Sequence, residues 1–393
     1  MSSEINNDNN VMTMANWVRQ TLNQLNDQSK PRIGLFDSSV PEPTQLLCDV
    51  AGKAFAQGAP DSFVSVFMRN HPVFEAWLSE RYDVPAEHIL CTSGATMAVS
   101  YVLEALCAPG EHVLTETPGF DIFRIAAAVE HLELSEFSRP APHFGVDPLL
   151  VLDALQPNTK VVIVSDPHNP SGLGMDQDVL SELCDMLASR GIALVIDEVY
   201  KDYSDDFVSG LDIASHPNLI RIGSMTKNFG LNALRAGWMF VGADLLERVR
   251  NHLRLADFSV SKLSHSVLAE VVSQSDRFDA FRHDIMQTAR PIVQDWLDRM
   301  VEDGLLERLP PLEGCICFPD LKHISDTNDF SRWLAETHGV IVVPGECFGA
   351  PGFIRIGFAR EEASLREGLR KLEAGLIEYV QILQQQQKKF AQN

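Results

Sequence analysis

Between residues 90 and 245 the chain alternates short β-branched runs with longer amphipathic ones, and this alternation restricts the fold more than any other feature. KVVIVSD (160–166), IALVIDEVY (192–200) and LIRIGSMTK (219–227) are nearly continuous apolar runs that end in polar clusters. Runs without polar alternation are buried on both faces, as in a parallel sheet covered by helices on each side. SGATMAVSYVLEALCAPG predicts a helix with Ser93 as N-cap that stops at Pro109-Gly110, and a short strand follows in HVLTETPGF. Asp176 opens a further helix, DQDVLSELCDMLASR, which Gly191 closes. The predicted class is α/β, a large domain with a mainly parallel sheet flanked by helices. Such a sheet gathers its ligand sites at the carboxyl ends of its strands, where SDPHNPSG, DEVY and SMTK fall.

The remainder reads differently. A long helical stretch near 265–305 is followed by the short strands GCICFPD, VIVVPGECFG and FIRIGFA and by a terminal helix from about 361. This is an α+β pattern and predicts a second, smaller domain. The expected division is residues 1–44 as an N-terminal arm and part of the small domain, 45–280 as the large domain and 281–393 as the C-terminal small domain. Residues 1 to about 30 read as a flexible arm, and the tail QQQQKKFAQN as frayed helix.

Charge and cysteine usage narrow the function. A net charge of -22 over 393 residues repels a polyanion across most of the surface, so no nucleic-acid partner is expected. The start MSSEINNDNN lacks a basic region followed by an apolar core, and no apolar run is long enough to span a membrane, so a cytoplasmic protein with no membrane partner is expected. Seven cysteines lie scattered in apolar settings and read as buried reduced thiols; only GCICF holds a close pair. Without a second Cys or His pair at ligand spacing, no metal site is expected.

The polar clusters, taken in order, resemble the fold-type-I pyridoxal-phosphate enzymes, and among them the class I/II aminotransferase family. The motifs are SGAT (93–96), PGF (118–120), NPSG (169–172), DEVY (197–200), SMTKNFGLNALRAGW (224–238) and IRIGFA (354–359), spread over roughly residues 85 to 360. By itself Lys227 would be a surface lysine, since a free ε-amine is almost wholly protonated at neutral pH and a poor nucleophile. The resemblance implies that it forms a Schiff base to pyridoxal 5'-phosphate and later moves the substrate's α-proton. Asp197 emerges from a buried strand, where a lone charge is costly and a cationic partner is required; the resemblance supplies the pyridine nitrogen of the cofactor.

Further roles are implied in the same way. Asn169 and Tyr200 match residues that hydrogen-bond the cofactor's phenolic oxygen, and Phe120 matches a residue stacked on its ring. Gly94, Ala95 and Thr96 open a helix whose unpaired N–H groups favour an anion, and Ser224, Thr226 and Arg235 add hydroxyls and a two-pronged cation for the phosphate. Arg355 alternates with Ile354 and Ile356 on a short strand and matches the residue that binds the substrate α-carboxylate. Asn169 and Ser39 are expected on the substrate side as well. Catalytic roles fall to Lys227, Asp197 and Tyr200.

Three features depart from the family pattern. Asp166 stands where the first Asn of Asn-Pro-x-Asn-Pro is usual, placing a carboxylate near the site or capping a turn. The tyrosine that reaches a partner's phosphate is not visible in DSFVSVFMRNHPVF. The N-terminal substrate loop reads GLFDSSVPEPT, with Ser38 and Ser39 where substrate contacts are expected. The leading expectation is a homodimeric aminotransferase moving an amino group from an L-amino acid to a 2-oxo acid. Its alternatives are elimination, decarboxylation or a cyclisation of the capreomycidine-synthase type. A dinucleotide-dependent dehydrogenase is disfavoured by the lack of Gly-x-Gly-x-x-Gly, and a non-catalytic binding domain by the presence of Lys227, Asp197 and Arg235.

Overall fold

In the computed structural model, residues 14, 17–19, 21, 31–60, 69–204 and 210–390 are described. A short strand, β1 (Ile33–Gly34), precedes seven that form the central sheet. These are β2 (Ile89–Thr92), β3 (His112–Thr117), β4 (Glu133–Ser138), β5 (Thr159–Ser165), β6 (Ala193–Asp197), β7 (Leu219–Ser224) and β8 (Gly237–Val241), in the order β2-β8-β7-β6-β5-β3-β4. Only β8 runs against its neighbours. The protein is therefore α/β with a mostly parallel sheet.

The uninterrupted apolar runs follow from burial on both faces. Along β5, Val162 and Val164 join one core with Leu194 and Ile196, while Val161 and Ile163 join the core on the opposite face with Val195. Each such side chain contributes about 1.5–3 kcal/mol by leaving water. The helix Ala95–Leu106 lays Val99, Val102, Leu103 and Leu106 on the second of these faces.

Several expectations need correction. Ser93 does not cap that helix: the cap is Gly94, at φ 94° and with no side-chain bond, because the chain turns there through a conformation that favours glycine. Asp176 does cap its helix, Gln177–Ala188, by accepting a hydrogen bond from Asp178 N, and Gly191 follows at φ 68°. The stretch 265–305 is two helices, Lys262–Val272 and Ser275–Glu302, with a break at Ser273-Gln274. Cys48 is exposed and Cys107 half-buried, so only five of the thiols are buried. Of the presumed arm, Met14, Trp17–Arg19 and Thr21 are helical, and Trp17 is buried edge-on against Phe36. The terminal helix Glu362–Phe390 carries the glutamine run as continuous exposed helix.

The smaller sheet supplies the other side of the site. Strands β9 (Ile316–Cys317), β10 (Val340–Ile341), β11 (Val343–Pro344) and β12 (Ile354–Gly357) follow one another in the chain. The order β11-β12-β9 is antiparallel, and β10 pairs in parallel with β1. Arg355 stands opposite Val343 in this register. Its neighbours Ile354 and Ile356 enter a core shared with Leu35, Val40, Trp296 and Phe358. No helix among the described residues is long and apolar enough to cross a membrane.

Candidate active site

Strand register brings the polar clusters together. Ser165 at the end of β5 pairs with Asp197 at the end of β6, and Ser224 at the end of β7 pairs with Gly237 on β8. A cavity of about 370 Å³ opens at this carboxyl edge, lined by Ala95, Thr96, Phe120, Asn169, Asp197 and Tyr200. Ser224, Thr226, Lys227, Arg235 and Arg355 line it as well, whereas Gly94 lies outside the lining, packed against Arg235. A larger cavity of about 570 Å³, bounded by Arg69, Glu75, Arg250 and Phe258, holds none of these residues, so volume alone does not identify the chemistry.

Lys227 lies on the short helix Met225–Asn228, whose N-cap is Ser224. The Ser224 hydroxyl accepts from Thr226 N at 3.1 Å and donates to Ala236 O at 3.2 Å. Tyr203 donates its hydroxyl to Lys227 O at 2.6 Å, so the backbone beneath the amine is held. Lys227 Nζ donates to Ser38 Oγ at 2.8 Å and lies 5.9 Å from the centre of the Tyr200 ring. Burial, and then the Arg355 guanidinium, push this amine down from its usual value to about 8. An appreciable neutral fraction therefore exists near neutral pH.

Asp197 is 6% exposed, and burial pushes its carboxyl up to about 7 against the N–H of Val199, which donates to Oδ1 at 3.2 Å. A carboxylate so placed gains most from a cation brought to it. Burial likewise raises the Tyr200 phenol above its ordinary value. Arg355, also buried, donates from Nη1 to Asn169 Oδ1 at 2.9 Å and from Nη2 to Phe36 O at 3.2 Å, and lies 5.0 Å over the Phe348 ring. Its Nε is buried with no partner among the described residues.

Arg235 is exposed and adopts φ 49°; its backbone N–H donates to Asn232 O, and its guanidinium makes no hydrogen bond or ion pair among the described residues. A Cβ on Gly94 would come within 2.7 Å of Arg235 Nη2. Glycine thus lets the guanidinium approach the first turn of the helix Ala95–Leu106, whose free N–H groups share its preference for an anion. Phe120 is half-buried at the cavity wall, edge-on to Phe123.

Ser38 rather than Ser39 reaches the cavity. Ser38 is buried on Lys227, whereas Ser39 sits at a bend, half-buried and outside the lining. Asp166 does not line the cavity either. Its Oδ1 accepts from Met175 N at 2.7 Å and its Oδ2 pairs with the buried Lys201 at 3.1 Å, so its extra charge is compensated within a turn. Most of DSFVSVFMRNHPVF, where the family pattern has a tyrosine, falls on residues 61–68, outside the described residues. Ser165, Asp121, Met14 and Val18 line the cavity without having been singled out. Ser165 had a visible signal in its place just before Asp166 at a strand end. Met14 had none, being held by a bond from its N to Asp121 Oδ2 at 2.5 Å. Among the described residues no three His, Cys, Asp or Glu side chains converge as a metal site.

An amine whose charge burial disfavours, a buried carboxyl short of a cation, and an uncommitted guanidinium beside a helix N-terminus suit a phosphorylated aldehyde with a basic ring nitrogen. Fold and site together define a pyridoxal-phosphate enzyme of fold type I. The sequence matches the model for aminotransferase class I and II over residues 36–372, and the chain belongs to that family, whose cofactor is pyridoxal phosphate. It is 30% identical to capreomycidine synthase of Streptomyces vinaceus over 297 residues, covering 74% of this chain and 75% of that one. Methionine aminotransferase of Escherichia coli is 26% identical over 294 residues, covering 72% and 75%. In fold, the chain superimposes on a pyridoxal-phosphate-dependent aminotransferase of Streptococcus suis with a TM-score of 0.81 at 24% identity, over 92% of this chain and 97% of that one.

Proposed function

We propose that the protein is an aminotransferase that moves an amino group from an L-amino acid to a 2-oxo acid, with Lys227 as the covalent anchor of the cofactor. The observation that carries this reading is the meeting of Lys227, Asp197, Arg235 and Arg355 around one cavity. When bound, the cofactor supplies a ring that accepts the electron pair left behind by the substrate's α-proton. Asp197 holds a proton on the ring nitrogen, its carboxylate gaining there the cation that burial denies it. Asn169 and Tyr200 bind the phenolic oxygen, and Phe120 covers a ring face.

Arg235, with Gly94, Ala95, Thr96, Ser224 and Thr226 around it, holds the phosphate. Arg355 binds the α-carboxylate and so orients the α-hydrogen toward Lys227. Its contact with Asn169 joins the two halves of the pocket. With the cofactor held there, Lys227 Nζ would be the group that takes the α-proton, in a pocket whose burial disfavours its charged form. Ser38 is the hydroxyl on which that amine rests.

The runner-up is elimination, decarboxylation or cyclisation of an amino acid. The likeness to capreomycidine synthase favours it. The compensated Asp166 lends it no support. One half-reaction separates the two: an amino acid added alone to the holoenzyme should discharge the lysine-bound band and leave pyridoxamine phosphate and a 2-oxo acid in equal amounts. Products without pyridoxamine phosphate would overturn transamination in favour of the alternative.

The same reading assigns residues 45–280 to a cofactor-binding domain and residues 1–44 with 281–393 to a smaller one, supported by the pairing of β1 with β10. It also takes the protein as a cytoplasmic homodimer. The exposed Leu255 (89%) and Leu263 (57%), near each other in the chain, are apolar surface of the kind a second copy covers.

A further inference from the structure

Behind the cavity wall lies an ion pair that the proposed chemistry does not use. Glu116, near the end of β3, and Arg139 are both fully buried, with Arg139 Nη1 at 2.6 Å from Glu116 Oε2. Arg139 Nε also donates to Phe144 O at 2.6 Å. Glu116 Oε1 accepts from Ser165 N at 3.0 Å and from the Ser165 hydroxyl. The same hydroxyl oxygen accepts from Asn169 N at 3.0 Å, and Asn169 Oδ1 accepts from Arg355 Nη1. The chain of contacts thus runs from Arg139 through Glu116, Ser165 and Asn169 to Arg355.

Stability gives little reason to keep such a pair, since well-packed apolar residues usually serve a core as well. Direction gives a better reason. Both Glu116 oxygens already accept N–H bonds, so the carboxylate faces Ser165 as an acceptor only. The Ser165 proton must point to it, which leaves the hydroxyl lone pairs for Asn169 N. At the far end Arg355 is a pure donor and requires the Asn169 carbonyl oxygen, which turns the amide nitrogen away from the arginine. Glu116 thus orients the Ser165 hydroxyl, which holds the Asn169 main chain, and Arg355 orients the Asn169 side-chain amide.

We propose that Glu116, held by Arg139, is a positioning residue that acts through Ser165 to fix Asn169 and with it the guanidinium of Arg355. This rests on the reading of Asn169 and Arg355 given above, and it makes one prediction that reading does not: a change at Ser165 in the wall, or at Glu116 behind it, alters both halves of the pocket together.

The test uses holoenzyme of the wild type, Ser165→Ala and Glu116→Gln, with 2-methylalanine, which carries the α-carboxylate but no α-hydrogen, as the probe. Its dissociation constant and the pH midpoint of the bound cofactor's visible band are measured. Ser165→Ala should keep one cofactor per chain, bind the probe about tenfold more weakly, as expected for one lost charged hydrogen bond, and move the midpoint up by about half a unit as Asn169 donates less well to the phenolic oxygen. Glu116→Gln should weaken the probe in the same sense. If Glu116→Gln does not fold, Ser165→Ala decides, since it deletes one atom and no charge. Wild-type affinity and midpoint in folded Ser165→Ala would overturn the proposal. A wild type that does not take the probe would overturn the Arg355 reading beneath it.

Discussion

Lys227 and Ser38 are 189 residues apart in the chain, yet the lysine amine donates to the serine hydroxyl at 2.8 Å. The amine is thereby held in a pocket that disfavours its charge, with its pKa down to about 8. The neutral amine is the form that captures an aldehyde, so the rate at which cofactor-free protein takes up pyridoxal phosphate should rise about tenfold from pH 7 to pH 9 and then level. An ordinary lysine would give a rate still climbing at pH 10. Ser38→Ala, which removes an acceptor from the ammonium form, should move the levelling to lower pH.

Asp197 gives a stability prediction of defined sign. Its folded value of about 7 lies above the ordinary carboxylate value, so the folded chain holds this proton more tightly than the unfolded one. The resulting stability is complete at pH values below about 4 and is lost as the pH rises through 7, by on the order of 4 kcal/mol at most. Asp197→Asn does not titrate. Cofactor-free wild type should therefore lose stability relative to the asparagine variant between pH 4 and pH 7 in denaturant titrations. With cofactor bound the ranking should reverse, and kcat of the variant should fall by roughly a hundredfold or more, the effect of an unpaired charge in a buried site.

The two arginines should separate cleanly. Arg355→Lys keeps the charge but loses the fork, so KM for the amino acid should rise about tenfold or more while cofactor content stays at one per chain. Arg235→Ala should weaken cofactor binding by a similar factor, measured by dialysis, with a smaller effect on KM once the cofactor is saturating. An exchange of these two phenotypes would contradict the assignment of carboxylate and phosphate ends.

The sheet was legible because burial on both faces leaves a local trace: Val161 to Val164 on β5 and Ala193 to Ile196 on β6 carry no polar alternation, and Asp197 closes β6 as a buried carboxyl. Lys227, Asp197, Arg235 and Arg355 were legible as motif positions, and all four line the cavity. What the sequence hid depends on pairings with no local period. Glu116 meets Ser165 across 49 residues, and Arg355 meets Asn169 across 186. Capping failed at Ser93 for a related reason. The glycine beside it is set by the approach of Arg235, more than a hundred residues further on.

The most direct measurement is borohydride reduction of the holoenzyme followed by peptide mapping. The account predicts a single phosphopyridoxyl adduct on Lys227, absent from Lys227→Ala, which should also lack turnover and the lysine-bound absorbance band. Holoenzyme whose reduced cofactor is carried on another lysine, or a Lys227→Ala variant that still turns over, would contradict it.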